Sequence, residues 1–210
     1  MACLGKRAAS SYAANSCLSP NLEEHASGHP EIEHDSVTGR CGHVNPFTAQ
    51  EVEKILWATE VYADGRRKQV KAFVLVSRYT GLRIGDCVSL RRENITDGTL
   101  YLRAAKTETG VWLPLKQEVV EALAEIESSH GFYFWSGEGT LKSGISSWHR
   151  NMATLFKLVG VKGHPHMFRH TFSVDLLSNG VPIEDVAVLL GHQNSAITSK
   201  YYNAFAKSRQ

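Results

Sequence analysis

Residues 164–172 read HPHMFRHTF and residues 189–203 read LLGHQNSAITSKYYN. Together they place His166, Arg169, His192 and Tyr201 within 36 positions of one another, downstream of a TGLRIGD stretch at 80–86 centred on Arg83. Pro165 suits the first turn of a helix that runs to about Gly180, and Pro182 opens another that ends at Gly191. On the first of these helices His166 and Arg169 are three apart and share a face, so both can reach one ligand. Two arginines, two histidines and a late tyrosine, with no cluster of carboxylates, form a set suited to holding a phosphate without a metal. Guanidinium groups donate in bidentate pairs and stay ionised at any working pH.

The chain upstream reads as helices around a short β segment. Thr48 and Glu51 have the spacing of a capping box, and Val52, Ile55, Leu56 and Thr59 then line one helical face. A second helix is expected from about Arg66 to Tyr79, closed by Gly81, with Arg83 at the start of a third, Ile84 to Leu90. The period changes at 99–115, where LYLRA and VWLPL flank AKTETG as a hairpin with Lys106 at or near its turn. A helix from Gln117 to Ser128, a short apolar FYFW run and an amphipathic helix through Ile145, Trp148, Met152, Leu155, Phe156 and Val159 complete the pattern. The fold class is mainly α with one small antiparallel sheet, an α+β domain.

The 210 residues and 42% hydrophobic content suit one domain with a tail. Residues 1–46 carry a net −2 and show no helical or strand period, so they are expected to be a disordered head. That leaves +4 on the remainder, which is compatible with an anionic partner without requiring one. Four cysteines, Cys3, Cys17, Cys41 and Cys87, have no CxxC spacing and read as free thiols. No apolar run is long enough to span a membrane, and the N-terminus lacks the apolar stretch of a secretory signal, so the cytoplasm is the expected location.

Taken singly, each candidate has an ordinary structural role: Asp86 could pair with Arg83, a lysine on a turn is commonplace, and Tyr201 or Tyr202 could be half-buried. His166 and His170 are four apart, but no glutamate lies between them as in HExxH and no third ligand is evident, so a zinc site is not expected. Taken together the motifs resemble those of the tyrosine recombinase, or phage integrase, family. TGLRIGD matches its first-arginine motif, AKTETGVWLPL its lysine hairpin, HPHMFRHTF its H-x-x-R helix, and LLGHQNSAITSKYY its closing block with the tyrosine nine residues after the histidine. The order and separations agree: 23 positions from Arg83 to Lys106, 23 from Arg169 to His192, nine from His192 to Tyr201.

The resemblance implies the catalytic-domain fold of that family over residues 47–206, followed by a four-residue tail at 207–210. It implies DNA cleavage and rejoining through a 3′-phosphotyrosine at Tyr201, with His166 as base or orienter, Lys106 protonating the leaving 5′ oxygen, and Arg83, Arg169 and His192 contacting the phosphate. It implies double-stranded DNA as partner, assembly as a homo-oligomer, a tetramer, on that DNA, and no cofactor, since the covalent ester conserves the bond energy. Most members carry a helical core-binding domain ahead of the catalytic one, where this sequence has 46 acidic, aperiodic residues. That departure raises a truncated gene product as one possibility. It also raises a non-catalytic DNA-binding module, in which 182–191 and 195–202 would act as a helix-turn-helix.

Overall fold

The computed structural model describes residues 45–62, 65–127, 130–192, 196, 198, 199 and 202. The head up to residue 44, the tail at 207–210 and Tyr201 lie outside the described residues. Helix α1 (Ala49–Val61) begins at the expected capping box: Thr48 Oγ1 accepts from the Glu51 N–H at 3.2 Å, and Glu51 Oε2 accepts from the Thr48 N–H at 2.8 Å. Just before it, the Phe47 N–H donates to Thr171 Oγ1 at 2.8 Å, while its ring lies against Phe156 and Phe168.

Helix α2 (Arg67–Thr80) is the centre of the domain and buries Val70, Phe73, Val74, Leu75 and Val76. The Phe73 ring stacks on Trp148 at 4.1 Å, and Phe134 meets both rings edge-on. The Trp148 indole N–H is satisfied by the Phe134 carbonyl at 2.7 Å, which offsets the cost of burying the polar edge of this apolar cluster. Helix α2 ends at Gly81, whose φ of +62° is left-handed and whose missing side chain leaves room for Phe172. A Cβ there would lie 2.5 Å from Phe172 Cδ1. Helix α3 (Ile84–Val88) follows, with Arg83 extended at its N-cap.

The sheet has three antiparallel strands in the order β1 (Ile95–Thr96), β2 (Thr99–Arg103) and β3 (Gly110–Pro114). Strands β2 and β3 are the expected hairpin, with Leu100 opposite Leu113 on the buried face and Tyr101 opposite Trp112 on the other. Strand β1 was not anticipated, although its signal is in the sequence. Asp97 and Gly98, with φ of 49° and 69°, form the Asp-Gly turn that favours a two-residue hairpin. The FYFW run makes only an isolated bridge, Arg91 to Phe132, and contributes core aromatics rather than a strand.

Helix α4 (Gln117–Ala124) is shorter than its expected extent to Ser128. The chain turns after Glu125 so that Ile126 enters the core, and the Ile126 carbonyl accepts from Arg92 Nη2. Helix α5 (Leu141–Leu158) is capped by Thr140, and α6 (His166–Ser178) and α7 (Ile183–Leu189) begin after Pro165 and Pro182 as the sequence indicates. Helix α2 packs against α1, α4 and α6, α3 against α5, and α7 against both α6 and β3. The last of these contacts brings the C-terminal part of the chain onto the hairpin. No described helix is long and apolar enough to cross a membrane.

Candidate active site

Helix α6 presents His166 as its first residue and Arg169 one turn later. Arg169 is only 4% exposed, and it joins three distant segments: Nη1 donates to the Gly81 carbonyl at 2.7 Å, and Nη2 donates to the Leu190 carbonyl at 2.7 Å and to His192 Nε2 at 2.9 Å. These acceptors lie at the ends of α2 and α7, where terminal carbonyls lack intrahelical partners. The guanidinium thus fastens the loop before Arg83 and the turn before His192 to the start of α6.

A guanidinium has donors only, so His192 Nε2 must be the acceptor in that contact and the ring proton sits on Nδ1. Nδ1 in turn donates to Thr198 Oγ1 at 2.7 Å, and Thr198 is fully buried. Burial, with the charges of Arg169 and Arg83 next in weight, pushes the His192 pKa down to about 4. The same influences lower His166 to about 4, burial first, then His170 and Arg169. His166 is exposed and His192 partly so, and water screens these effects at both rings. Burial also lowers Arg169, to about 10, with the Arg83 charge second; it remains a cation at neutral pH.

Arg83 belongs to this group, since its charge acts on His166, Arg169 and His192 alike. Its Nη1 is buried and has no acceptor among the described residues. The alternative in which Asp86 pairs with Arg83 is not what the structure contains. Asp86, 4% exposed, instead accepts from the backbone N–H of Ala105 through Oδ1 at 3.0 Å.

That bond fixes one side of the loop carrying Lys106. The other side is held by Thr107, whose hydroxyl donates to the Gly191 carbonyl at 2.8 Å. Gly191 has φ of +62°, and a Cβ there would come within 3.2 Å of Val111 Cγ2 and 3.5 Å of Ala104 Cβ, so the close approach of loop and turn requires glycine. Lys106, exposed, lies between these two ties. The structure therefore brings Arg83, His166, Arg169 and His192 together and holds the Lys106 loop against the same group. Tyr201 is outside the described residues. Its neighbour Tyr202 is buried, with its hydroxyl 2.6 Å from His170 Nδ1.

Among the described residues no group of three or more His, Cys, Asp and Glu is placed to hold a metal ion. His166 and His170 meet ring edge to ring face at 4.7 Å. Cys87 is a free, buried thiol whose pKa burial raises to about 12; the other three cysteines lie outside the described residues. Sequence reasoning missed Thr107, Gly191, Thr198 and the His170–Tyr202 pair. Thr107 acts on a carbonyl 84 positions away and His170 pairs with Tyr202 across 32, which no local pattern announces, while Thr198 acts on His192 only six positions before it.

Residues 45–208 match the model of the phage integrase family. The chain is 29% identical over 169 residues to a tyrosine recombinase of Thermosipho africanus, covering 74% of this chain and 56% of that protein. It spans just over half the length of the curated relatives it matches. Its fold superposes on the catalytic domain of bacteriophage HP1 integrase with a TM-score of 0.61 at 18% identity, covering 79% of this chain and 90% of that one. It also superposes on the Tn1549 transposon integrase in complex with a circular intermediate DNA, with a TM-score of 0.60 at 18% identity, covering 79% and 63%.

Proposed function

Because the chain belongs to the phage integrase family, we propose that it is the catalytic domain, residues 47–206, of a site-specific recombinase that cuts and rejoins double-stranded DNA. The observation that carries this is the cationic group around Arg169. Two guanidiniums and two uncharged histidines are drawn together there, and the buried Arg83 Nη1 has no acceptor among the described residues. A phosphodiester is the ligand that such an arrangement of donors fits. Double-stranded DNA is accordingly the proposed partner, in line with the DNA-bound transposon integrase that shares the fold.

In this mechanism the Tyr201 hydroxyl attacks the scissile phosphorus and its proton passes to His166. A free phenol, with a pKa near 10, is a poor nucleophile at neutral pH, so it depends on this acceptor and on the nearby cations. The low pKa of His166 leaves its nitrogen lone pair available. Arg83, Arg169 and His192 meet the charge that builds on the non-bridging oxygens; one such donor is typically worth about 100- to 1,000-fold in rate. The phosphorus–O5′ bond breaks, Lys106 protonates the departing oxygen, and a 3′-phosphotyrosine remains. Attack by a second 5′ hydroxyl reverses the steps, so no nucleotide cofactor enters. Full recombination joins four strands and calls for a homotetramer on DNA.

A nicked duplex, in which the short 5′-hydroxyl product diffuses away and strands the covalent species, tests the proposal. The expected result is a protein–DNA adduct that survives denaturing electrophoresis and is absent from Tyr201→Phe. Salt-sensitive duplex binding with no adduct would identify a non-catalytic DNA-binding module instead.

A further inference from the structure

The contacts of His192 pose a chemical problem for the mechanism above, on which this inference rests. In the structure Nε2 accepts from Arg169 at 2.9 Å, yet to support a phosphate oxygen the same nitrogen must donate. The ring therefore has to exchange the roles of its two nitrogens when an anion arrives. Nδ1 faces Thr198 Oγ1 at 2.7 Å, and Thr198 has no exposed surface. A hydroxyl is one of the few side-chain groups able both to accept from an N–H and to donate to a bare nitrogen, simply by rotating its own proton.

We propose that Thr198 is a positioning residue for phosphate binding, the reversible partner that lets His192 change from an acceptor toward Arg169 into a donor toward the phosphate. In the free protein Nδ1–H donates to Thr198 Oγ1. The ring of His192 is partly exposed, and when it swings away from Thr198 solvent takes the proton from Nδ1 and supplies one to Nε2, with no net change. In the anion-bound protein the Thr198 hydroxyl has turned to donate to Nδ1, and Arg169 Nη2 is released from the ring to meet the phosphate alongside it. The neutral exchange is preferred to simple protonation because burial and two nearby guanidiniums disfavour an imidazolium here. Thr198 is three positions before Tyr201, so the switch is anchored in the segment that carries the nucleophile.

Nitrogen-15 spectra of the imidazoles in the full chain test this directly, with the His192 signals identified by their loss in His192→Asn. In the free wild type Nε2 should show the shift of an unprotonated nitrogen and Nδ1 that of a protonated one. Saturating inorganic phosphate should reverse the two, and Thr198→Ser should behave likewise. Thr198→Val, equal in size but without the hydroxyl, should give averaged tautomers and lose the reversal. A protonated Nε2 in the free wild type would overturn the proposal, and so would wild-type shifts in Thr198→Val with and without phosphate. The free-protein measurement stands even if a variant fails to fold. The arginine Nε signals report separately whether phosphate binds: absent binding would overturn the recombinase reading and this proposal with it, whereas binding without reversal of the His192 nitrogens would overturn the proposal alone.

Discussion

Asp86 Oδ1 accepts the backbone N–H of Ala105 at 3.0 Å, tying the helix that begins beside Arg83 to the loop that carries Lys106 across 19 positions of chain. The carboxylate is 4% exposed, and burying it is tolerable because it is hydrogen-bonded and lies in the field of Arg169. Asp86→Asn keeps an acceptor at that point and should retain most covalent capture of nicked DNA. Asp86→Ala should lower capture by about tenfold or more, because a small misplacement of a catalytic group is costly in rate. Equal effects of the two substitutions would detach the carboxylate from the placement of Lys106.

The two arginines should separate in their effects. Arg169→Ala leaves the Gly81 and Leu190 carbonyls without their donor, so it should cost about 1–3 kcal/mol of stability as well as activity. Arg83 has a buried Nη1 with no acceptor among the described residues, so Arg83→Ala should lower capture by about 100-fold or more with little loss of stability. Urea unfolding alongside the adduct assay measures both quantities on each variant.

Stability should fall on acidification through the histidines. The folded pKa of His192, about 4, lies below the unfolded value near 6.5, so the unfolded chain binds more protons between them. Its contribution is fully present above pH 6.5 and is lost as pH falls from there toward 4. The loss should be about 1–3 kcal/mol after allowance for solvent screening. His166 and His170, both lowered mainly by burial, act in the same direction. Urea midpoints at pH 7.5, 5.5 and 4.5 should show the decline, and His192→Asn should flatten part of it.

Adjacent tyrosines should differ sharply. Tyr201→Phe is expected to abolish capture, whereas Tyr202→Phe should retain it while losing about 0.5–1.5 kcal/mol with the bond to His170. Capture by Tyr201→Phe together with loss in Tyr202→Phe would reassign the nucleophile.

Gly191→Ala should act on two levels at once. The left-handed backbone costs about 1–2 kcal/mol for alanine, and the added methyl presses on Val111 and Ala104. Unfolding midpoints should drop accordingly, and capture should fall with them as the Thr107 tie to Gly191 is strained.

Much of this was legible in the sequence because it is encoded locally. Caps and helix ends followed from Thr48, Gly81, Pro165 and Pro182, and the β2–β3 hairpin from its change of period. The grouping of Arg83, Arg169 and His192 was suggested by the order of motifs, but the means of holding them was not. Arg169 works through carbonyls 88 and 21 positions away, and Thr107 through one 84 positions away. Main-chain oxygens carry no residue-type signature, so such ties cannot be read from a linear pattern. The early end of α4 was hidden for a related reason: the demand of the core for Ile126 overrode helix propensity.

The position of Phe47 gives the domain a mechanical character. Its ring is wedged between Phe156 and Phe168, and its N–H is held by Thr171, so the first described turn is riveted to the helix bearing His166 and Arg169. Phe168 is the residue next to Arg169, so tension applied at residue 45 would load this aromatic contact together with α1. A pull from the N-terminal side therefore meets the helix that bears His166 and Arg169 as well as α1.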